Sequence, residues 1–189
     1  MKLSQKFEEV LVYATQAHCD QTRKETNIPY IAHILGVTAI ALEYGADESE
    51  AIGALLHDVV EDCGGAPRLA EIERKFGADV AKIVEGCTDT DETPKPPWRE
   101  RKEKYIAHVA TADAATILVS ASDKLHNARS ILRDLRVQGD EAFERFKGKK
   151  EGTLWYYRSL VTAFREHGNS ELIEELDRTV TEMERLAGV

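Results

Sequence analysis

The run from Ala51 to Asp62, Ala-Ile-Gly-Ala-Leu-Leu-His-Asp-Val-Val-Glu-Asp, constrains this chain more than any other stretch. Its first half is apolar around most of a helical circumference, the mark of an element buried on much of its surface. Its second half attaches His57, Asp58, Glu61 and Asp62 directly to that buried element. Burying such groups costs on the order of several kcal/mol each unless a partner offsets it. On one continuous helix from Asp47 to Asp62, His57 and Glu61 share a face, as do Asp58 and Asp62, because residues four apart are neighbours. The spacing therefore predicts a single polar patch at the end of a buried helix. A divalent cation is the obvious compensation. Imidazole nitrogen with carboxylate oxygen suits manganese, iron, zinc or a similar first-row metal.

One helix cannot surround an ion, so further ligands must come from elsewhere in the chain. His33 follows Pro29-Tyr30 at the start of another apolar segment, and Asp123 follows the run Ile117-Leu118-Val119-Ser120-Ala121-Ser122. A lone histidine of this kind is more often a satisfied core residue, and a lone buried aspartate is often a helix cap. Their joint occurrence with His57-Asp58 makes His33, His57, Asp58 and Asp123 the expected metal ligands.

The remaining periodicity is helical throughout. Helices are expected over Leu3 to His18, Tyr30 to Tyr44 and Asp47 to Asp62, the last opened by a capping box from Asp47 to Glu50. Gly64-Gly65-Ala66-Pro67 reads as a breaker. Further helices are expected at Ala70 to Phe76, Ala78 to Cys87, Arg99 to Ala110, Ala114 to Arg136, Asp140 to Phe146, Thr153 to His167 and Ser170 to Ala187. Thr88 to Trp98 holds three of the five prolines and reads as a surface loop, a flap over a site. No segment alternates like a half-buried strand, and no linker divides the chain. The expectation is an all-α bundle in one domain, residues 1–189.

Composition narrows the function classes. Hydrophobic residues make up 42% and charged residues 31%, so the 189-residue chain can bury a core. There is no run of ~18 apolar residues to span a membrane, and Met1 to Glu9 has no secretory core, which makes the cytoplasm the expected compartment. A formal charge of -9 argues against nucleic acid or anionic lipid as partner. Cys19, Cys63 and Cys87 are odd in number and far apart, so free, buried thiols are expected. Local basic clusters can still hold an anionic substrate. These are Arg23-Lys24, then Arg99, Arg101, Lys102 and Lys104, and then Lys147, Lys149 and Lys150 beside Trp155-Tyr156-Tyr157. Arg23, Lys24, Arg101 and Lys102 are the pocket candidates, and at least one of the three aromatics should pack in the core.

These motifs resemble the HD superfamily of metal-dependent phosphohydrolases. Within it, Arg23-Lys24, Pro29-Tyr30-Ile31-Ala32-His33, Leu55-Leu56-His57-Asp58-Val59-Val60-Glu61-Asp62 and Ser122-Asp123-Lys124-Leu125-His126-Asn127-Ala128-Arg129-Ser130 are similar to the hydrolase domain of RelA/SpoT homologues. Those enzymes remove pyrophosphate from the 3′ position of (p)ppGpp, and the length matches their stand-alone small alarmone hydrolases. The resemblance implies an HD-domain helical bundle and one metal, usually manganese, on His33, His57, Asp58 and Asp123. It implies that Glu61 and Asp62 position and activate water, and that Arg23 stacks on the base with Lys24 on the nucleotide. Asn127 and Ser130 would line the ribose and base side. Ile34 stands where the family commonly has proline, and Lys147 to Tyr157 has no clear counterpart in the long enzymes. Two other readings keep the same residues: an HD-type phosphatase acting on NADPH or nucleoside monophosphates, and a nucleotide-sensing module without turnover. His126 projects about 60° from Asp123 on a helix, which makes it a support for the ligands and not one of them.

Overall fold

The computed structural model describes residues 2–90 and 94–189. It contains α1 (Gln5–Ala17), α2 (Ile31–Glu43), α3 (Glu48–Leu56), α4 (Val59–Cys63), α5 (Gly65–Phe76), α6 (Ala78–Cys87), α7 (Trp98–Val109), α8 (Ala114–Gln138), a 3₁₀ turn (Gly139–Phe143), α9 (Lys149–Arg165) and α10 (Glu171–Ala187). Among the described residues there is no β-strand, only an isolated bridge between Thr22 and Pro29. The all-α expectation therefore holds. No helix among those residues is long and apolar enough to cross a membrane.

Short polar side chains start the helices by satisfying orphan backbone donors. Ser4, Asp113 and Ser170 accept from main-chain N–H groups at the starts of α1, α8 and α10. Asp47 and Glu50 form the full capping box at α3. Apolar faces then build three clusters. Val10, Ile34, Ile52, Leu55, Leu56, Ile72 and Val80 join α1 to α6. Leu125, Phe143, Leu160, Phe164, Leu176 and Met183 join α8, α9 and α10. Val37, Ala54, Ile83 and Val119 lie between them. The long α8 packs against α2, α3, α6, α9 and α10. That places its mid-point, Asp123, beside the apolar helices that carry both candidate histidines.

Four expectations need correction. The helix read as continuous from Asp47 to Asp62 breaks at His57-Asp58. Gly64-Gly65-Ala66-Pro67 does not stop helical structure: Gly64 turns at φ 140°, and α5 begins at once, with Pro67 in its first turn. There the missing N–H has no intrahelical acceptor to lose. α9 starts at Lys149 and not Thr153, and Gly139 to Phe143 is a 3₁₀ turn. Of the three free thiols only Cys87 is buried; Cys19 is exposed in the turn after α1. In the expected flap, Asp91, Glu92 and Thr93 lie outside the described residues.

Candidate functional site

The break between α3 and α4 brings two consecutive side chains to one point. On a regular helix they diverge by about 100°. Here Asp58 takes φ -99° and ψ -5°, in the sparsely populated bridge region. The His57 ring turns back, its Nδ1 donating to the Ala54 carbonyl at 2.8 Å. Its Nε2 then faces Asp58 Oδ2 at 3.1 Å. His33, on the first turn of α2, sets its own Nε2 3.4 Å from the same oxygen. Asp123, from α8, brings Oδ1 to 3.2 Å from His33 Nε2 and 3.7 Å from His57 Nε2. All four residues are thus within a few ångströms, although they come from three separate stretches of chain.

The chemistry of this set fits a divalent cation. Both imidazoles use Nδ1 elsewhere: His57 on Ala54, and His33 on His126 Nδ1 at 2.8 Å. Each is left with Nε2 facing carboxylate oxygens. The buried Nε2 of His57 has no hydrogen-bond partner among the described residues. Two nitrogen lone pairs opposed to two carboxylates repel unless a proton or a metal lies between them. His33, His57 and Asp58 offer ligand atoms all within 4.8 Å of one another. In the metal-free protein, a proton on His57 takes that place. Burial alone pushes His57 down, but the Asp58 and Asp123 carboxylates together hold it well above its ordinary value. Burial likewise pushes Asp58 and Asp123 up, and the cationic neighbours, His57 for one and Lys124 for the other, outweigh it and hold both well below the carboxylate range.

A second layer of contacts orients these groups. The Tyr30 hydroxyl donates to Asp58 Oδ2 at 2.7 Å. Asn127 Nδ2 donates to Asp123 Oδ1 at 2.5 Å, while Asn127 Oδ1 accepts from Arg23 Nη2 at 2.6 Å. Asn127 therefore links Arg23 to Asp123. His126 supports His33, as its helical position implied, and burial pushes it down to about 4. Its ring fits because Gly36 lies opposite: a Cβ there would meet the ring at 2.4 Å.

The acidic pair divides. Glu61 lines the cleft and accepts from Lys95 Nζ at 2.8 Å. Asp62 is solvent-exposed, yet its protein surroundings and then the charges of Asp58 and Glu61 push it up to about 6. The cleft has a volume of about 720 Å³, and Arg23, Lys24, Arg101, Lys102, Asn127 and Ser130 all line it. Arg101 and Lys102 both pair with Asp89 Oδ2, Arg101 the more deeply buried of the two, so Lys102 is the more accessible to a ligand. Of the outlying basic residues, Lys147 lines the cleft, while Lys149 pairs with Glu144 and Lys150 with Asp140. Tyr156 and Tyr157 serve both the core and the cleft wall. Tyr30, Asp89 and Lys124 carried no assignment from the sequence. Their types are ordinary, and only their neighbours across helices distinguish them.

A buried histidine–aspartate centre, set where consecutive His-Asp residues interrupt a helix in an all-helical bundle, defines the HD domain class. The chain belongs to that family: the HD domain profile matches residues 10–152. Among individual proteins it is 37% identical over 137 residues to the guanosine-3′,5′-bis(diphosphate) 3′-pyrophosphohydrolase MESH1 of Drosophila melanogaster, covering 71% of this chain and 72% of that one. The Xenopus tropicalis MESH1 is 40% identical over 124 residues, 64% and 66% of the two chains. A GTP pyrophosphokinase, rsh, of Brucella ovis is 34% identical over 123 residues, 64% of this chain but 16% of that much longer protein. In three dimensions the chain resembles a metazoan SpoT orthologue that hydrolyses ppGpp, with TM-score 0.77, 31% identity and coverage of 95% and 96%.

Proposed function

We propose that this chain is a metal-dependent 3′-pyrophosphohydrolase of (p)ppGpp, yielding GDP or GTP and pyrophosphate, and that residues 1–189 act as one hydrolase domain. The observation that carries the reading is the meeting of His33, His57, Asp58 and Asp123 Nε2 and carboxylate atoms beside a cation-lined cleft. The likeness to MESH1 and to the SpoT orthologue supports the substrate. The four ligands would hold one divalent ion, manganese by preference. When bound, such an ion neutralises phosphoryl charge and lowers the pKa of a bound water.

The chain's own groups then divide the work. Water attacks the phosphorus attached to the nucleoside 3′ oxygen, the P–O3′ bond breaks, and the 3′ oxygen leaves as a hydroxyl. Glu61 and Asp62 take the proton of the attacking water and return one to the leaving oxygen. Arg23, 5.8 Å from the Tyr30 ring, stacks on the base, and Lys24 meets the nucleotide's phosphates. Ser130 and Asn127 line the ribose side, with Asn127 also steadying Asp123. The net charge of -9 supports a small-nucleotide substrate over nucleic acid or an anionic membrane, and the proposed setting is the cytoplasm.

Turnover of ppGpp, NADPH and deoxynucleoside monophosphates by the purified manganese form, side by side, tests this. Preferential release of pyrophosphate from ppGpp is expected. Faster phosphate release from NADPH would replace the assignment with a nucleotide phosphatase, and binding without turnover would replace it with a sensor.

A further inference from the structure

Beside the metal centre, the cleft has a second charged wall that the hydrolytic reading does not use. It is built by three helices. Lys102 comes from α7, Lys124 from α8 and Tyr156 from α9, and all three line the cleft. Lys102 Nζ sits 4.8 Å from the Tyr156 ring centre, and Lys124 Nζ sits 4.8 Å from that of Tyr105. Both lysine side chains are largely buried, 17% and 14% exposed.

The charges here do not balance once a cation is bound. Lys124 is held at 2.6 Å by Asp123 Oδ2, but Asp123 and Asp58 together are matched by a divalent ion. That leaves Arg101, Lys102 and Lys124 against a single carboxylate, Asp89, whose Oδ2 serves both Arg101 and Lys102. The Glu61 charge reaches Lys102 as well, but Glu61 is itself paired with Lys95. With Lys102 protonated, these three largely buried cations against one anion leave two positive charges, close to the charge of about −1.5 to −2 on a terminal phosphate at neutral pH. An uncompensated buried charge is costly, so such a wall is built for an anion. Tyr156 adds a donor: its hydroxyl is buried and has no hydrogen-bond partner among the described residues. Burial, and then Lys124, push Lys102 down to about 7, which a bound dianion would reverse.

The wall is held rigidly. A Cβ on Gly148 would lie 2.6 Å from the Trp98 ring and one on Gly152 3.1 Å from it, so these two glycines let Trp98, at the start of α7, seat on the start of α9. That contact sets Lys102 against Tyr156. It also gives the Lys147 to Tyr157 segment a purpose that its sequence did not reveal.

We propose that Lys102, Lys124 and Tyr156 form a subsite for the distal phosphate of the 3′-pyrophosphate, so that this wall selects a pyrophosphate ester over a monophosphate ester. The proposal rests on the 3′-pyrophosphohydrolase reading above. It places the leaving nucleoside on the Arg23 side of the metal centre and the pyrophosphate on the Lys102 side.

The test uses the manganese-loaded full chain as wild type, Lys102→Gln and Tyr156→Phe, with metal content and thermal midpoint measured for each. Inorganic pyrophosphate and inorganic phosphate are titrated calorimetrically. Wild type should bind pyrophosphate at least about tenfold more tightly than phosphate, and Lys102→Gln should weaken pyrophosphate roughly 30-fold and phosphate much less, as for loss of a charge-assisted hydrogen bond. Tyr156→Phe keeps the ring under Lys102 and should weaken pyrophosphate roughly fivefold; it decides the matter if Lys102→Gln does not fold. The ratio of kcat/KM for ppGpp over guanosine 5′-diphosphate 3′-monophosphate should fall in both variants. Equal losses for both ligands, or none, would overturn the subsite. If wild type turns over no ppGpp, the functional reading fails, and the pyrophosphate–phosphate comparison still decides the subsite independently.

Discussion

Replacing Tyr30 by phenylalanine isolates a single hydrogen bond at the metal centre. The Tyr30 ring is fixed by stacking on His18 at 5.0 Å between centroids and by an edge contact with His33 at 5.5 Å. Both contacts survive removal of the hydroxyl. What is lost is the 2.7 Å bond to Asp58 Oδ2, the oxygen that faces Nε2 of both His33 and His57. A hydrogen bond to a charged acceptor contributes roughly 1.5–3 kcal/mol. Asp58 is 20% exposed at its side chain, so water recovers part of this, and the lower end applies. Each ~1.4 kcal/mol is tenfold in an equilibrium constant. Manganese affinity should therefore fall about tenfold, within the roughly 10–100-fold range of lost ligand-orienting contacts. Calorimetric titration of the metal-free protein with manganese measures this directly, with the thermal midpoint of the metal-free form as a control on packing. An affinity within twofold of wild type would refute the claim that Tyr30 holds the Asp58 carboxylate in place for the metal.

Other expectations follow from neighbouring contacts. Glu61→Gln should suppress turnover by two or more orders of magnitude, by about the contribution of a positioned acid or base, while metal content stays near normal; full activity would remove Glu61 from proton handling. Asp62 must be ionised to accept a proton, and its pKa, raised to about 6, means that the ionised form is lost as pH falls through that value. A bound cation opposes this rise, so the acid limb of kcat/KM should lie at or below pH 6 and change in Asp62→Asn. A limb above pH 6.5 that persists in the variant would contradict the assignment. Gly36→Ala adds helix propensity of about 1 kcal/mol but forces a methyl to 2.4 Å from the His126 ring. Overpacking costs roughly 1–3 kcal/mol, and the upper end applies because His126 is bonded to His33 and cannot easily retreat, so a net loss of about 2 kcal/mol should lower the thermal midpoint by several degrees. His57→Ala should abolish turnover and reduce bound metal to background by elemental analysis.

Helix content and much of the candidate site are local properties, and the sequence by itself determined them. The apolar spacing in α2, α3 and α8 makes these segments helical and buried, and the capping box at Asp47 starts α3 where the pattern places it. Ionisable groups attached to such segments must find compensation, which is why His33, His57, Asp58 and Asp123 stand out before any coordinates are known. Where a helix ends is less local. The break at His57-Asp58 depends on the His57 ring bonding back to Ala54 while its Nε2 meets Asp58 and, from α8, Asp123, and the early start of α9 depends on Trp98 seating on two glycines. Tertiary structure also decided which partners hold the supporting residues. Tyr30 acquires that role through a partner 28 positions distant, and the particular partners of His126 and Asn127, His33 and Arg23, lie 93 and 104 positions away, although helical position had already made His126 a support and Asn127 meets Asp123 within one helix. The physical reason is range. Periodicity and capping act over a few residues, whereas the direction of a carboxylate or an imidazole is set by whichever side chain the packed helices bring within about 3 Å.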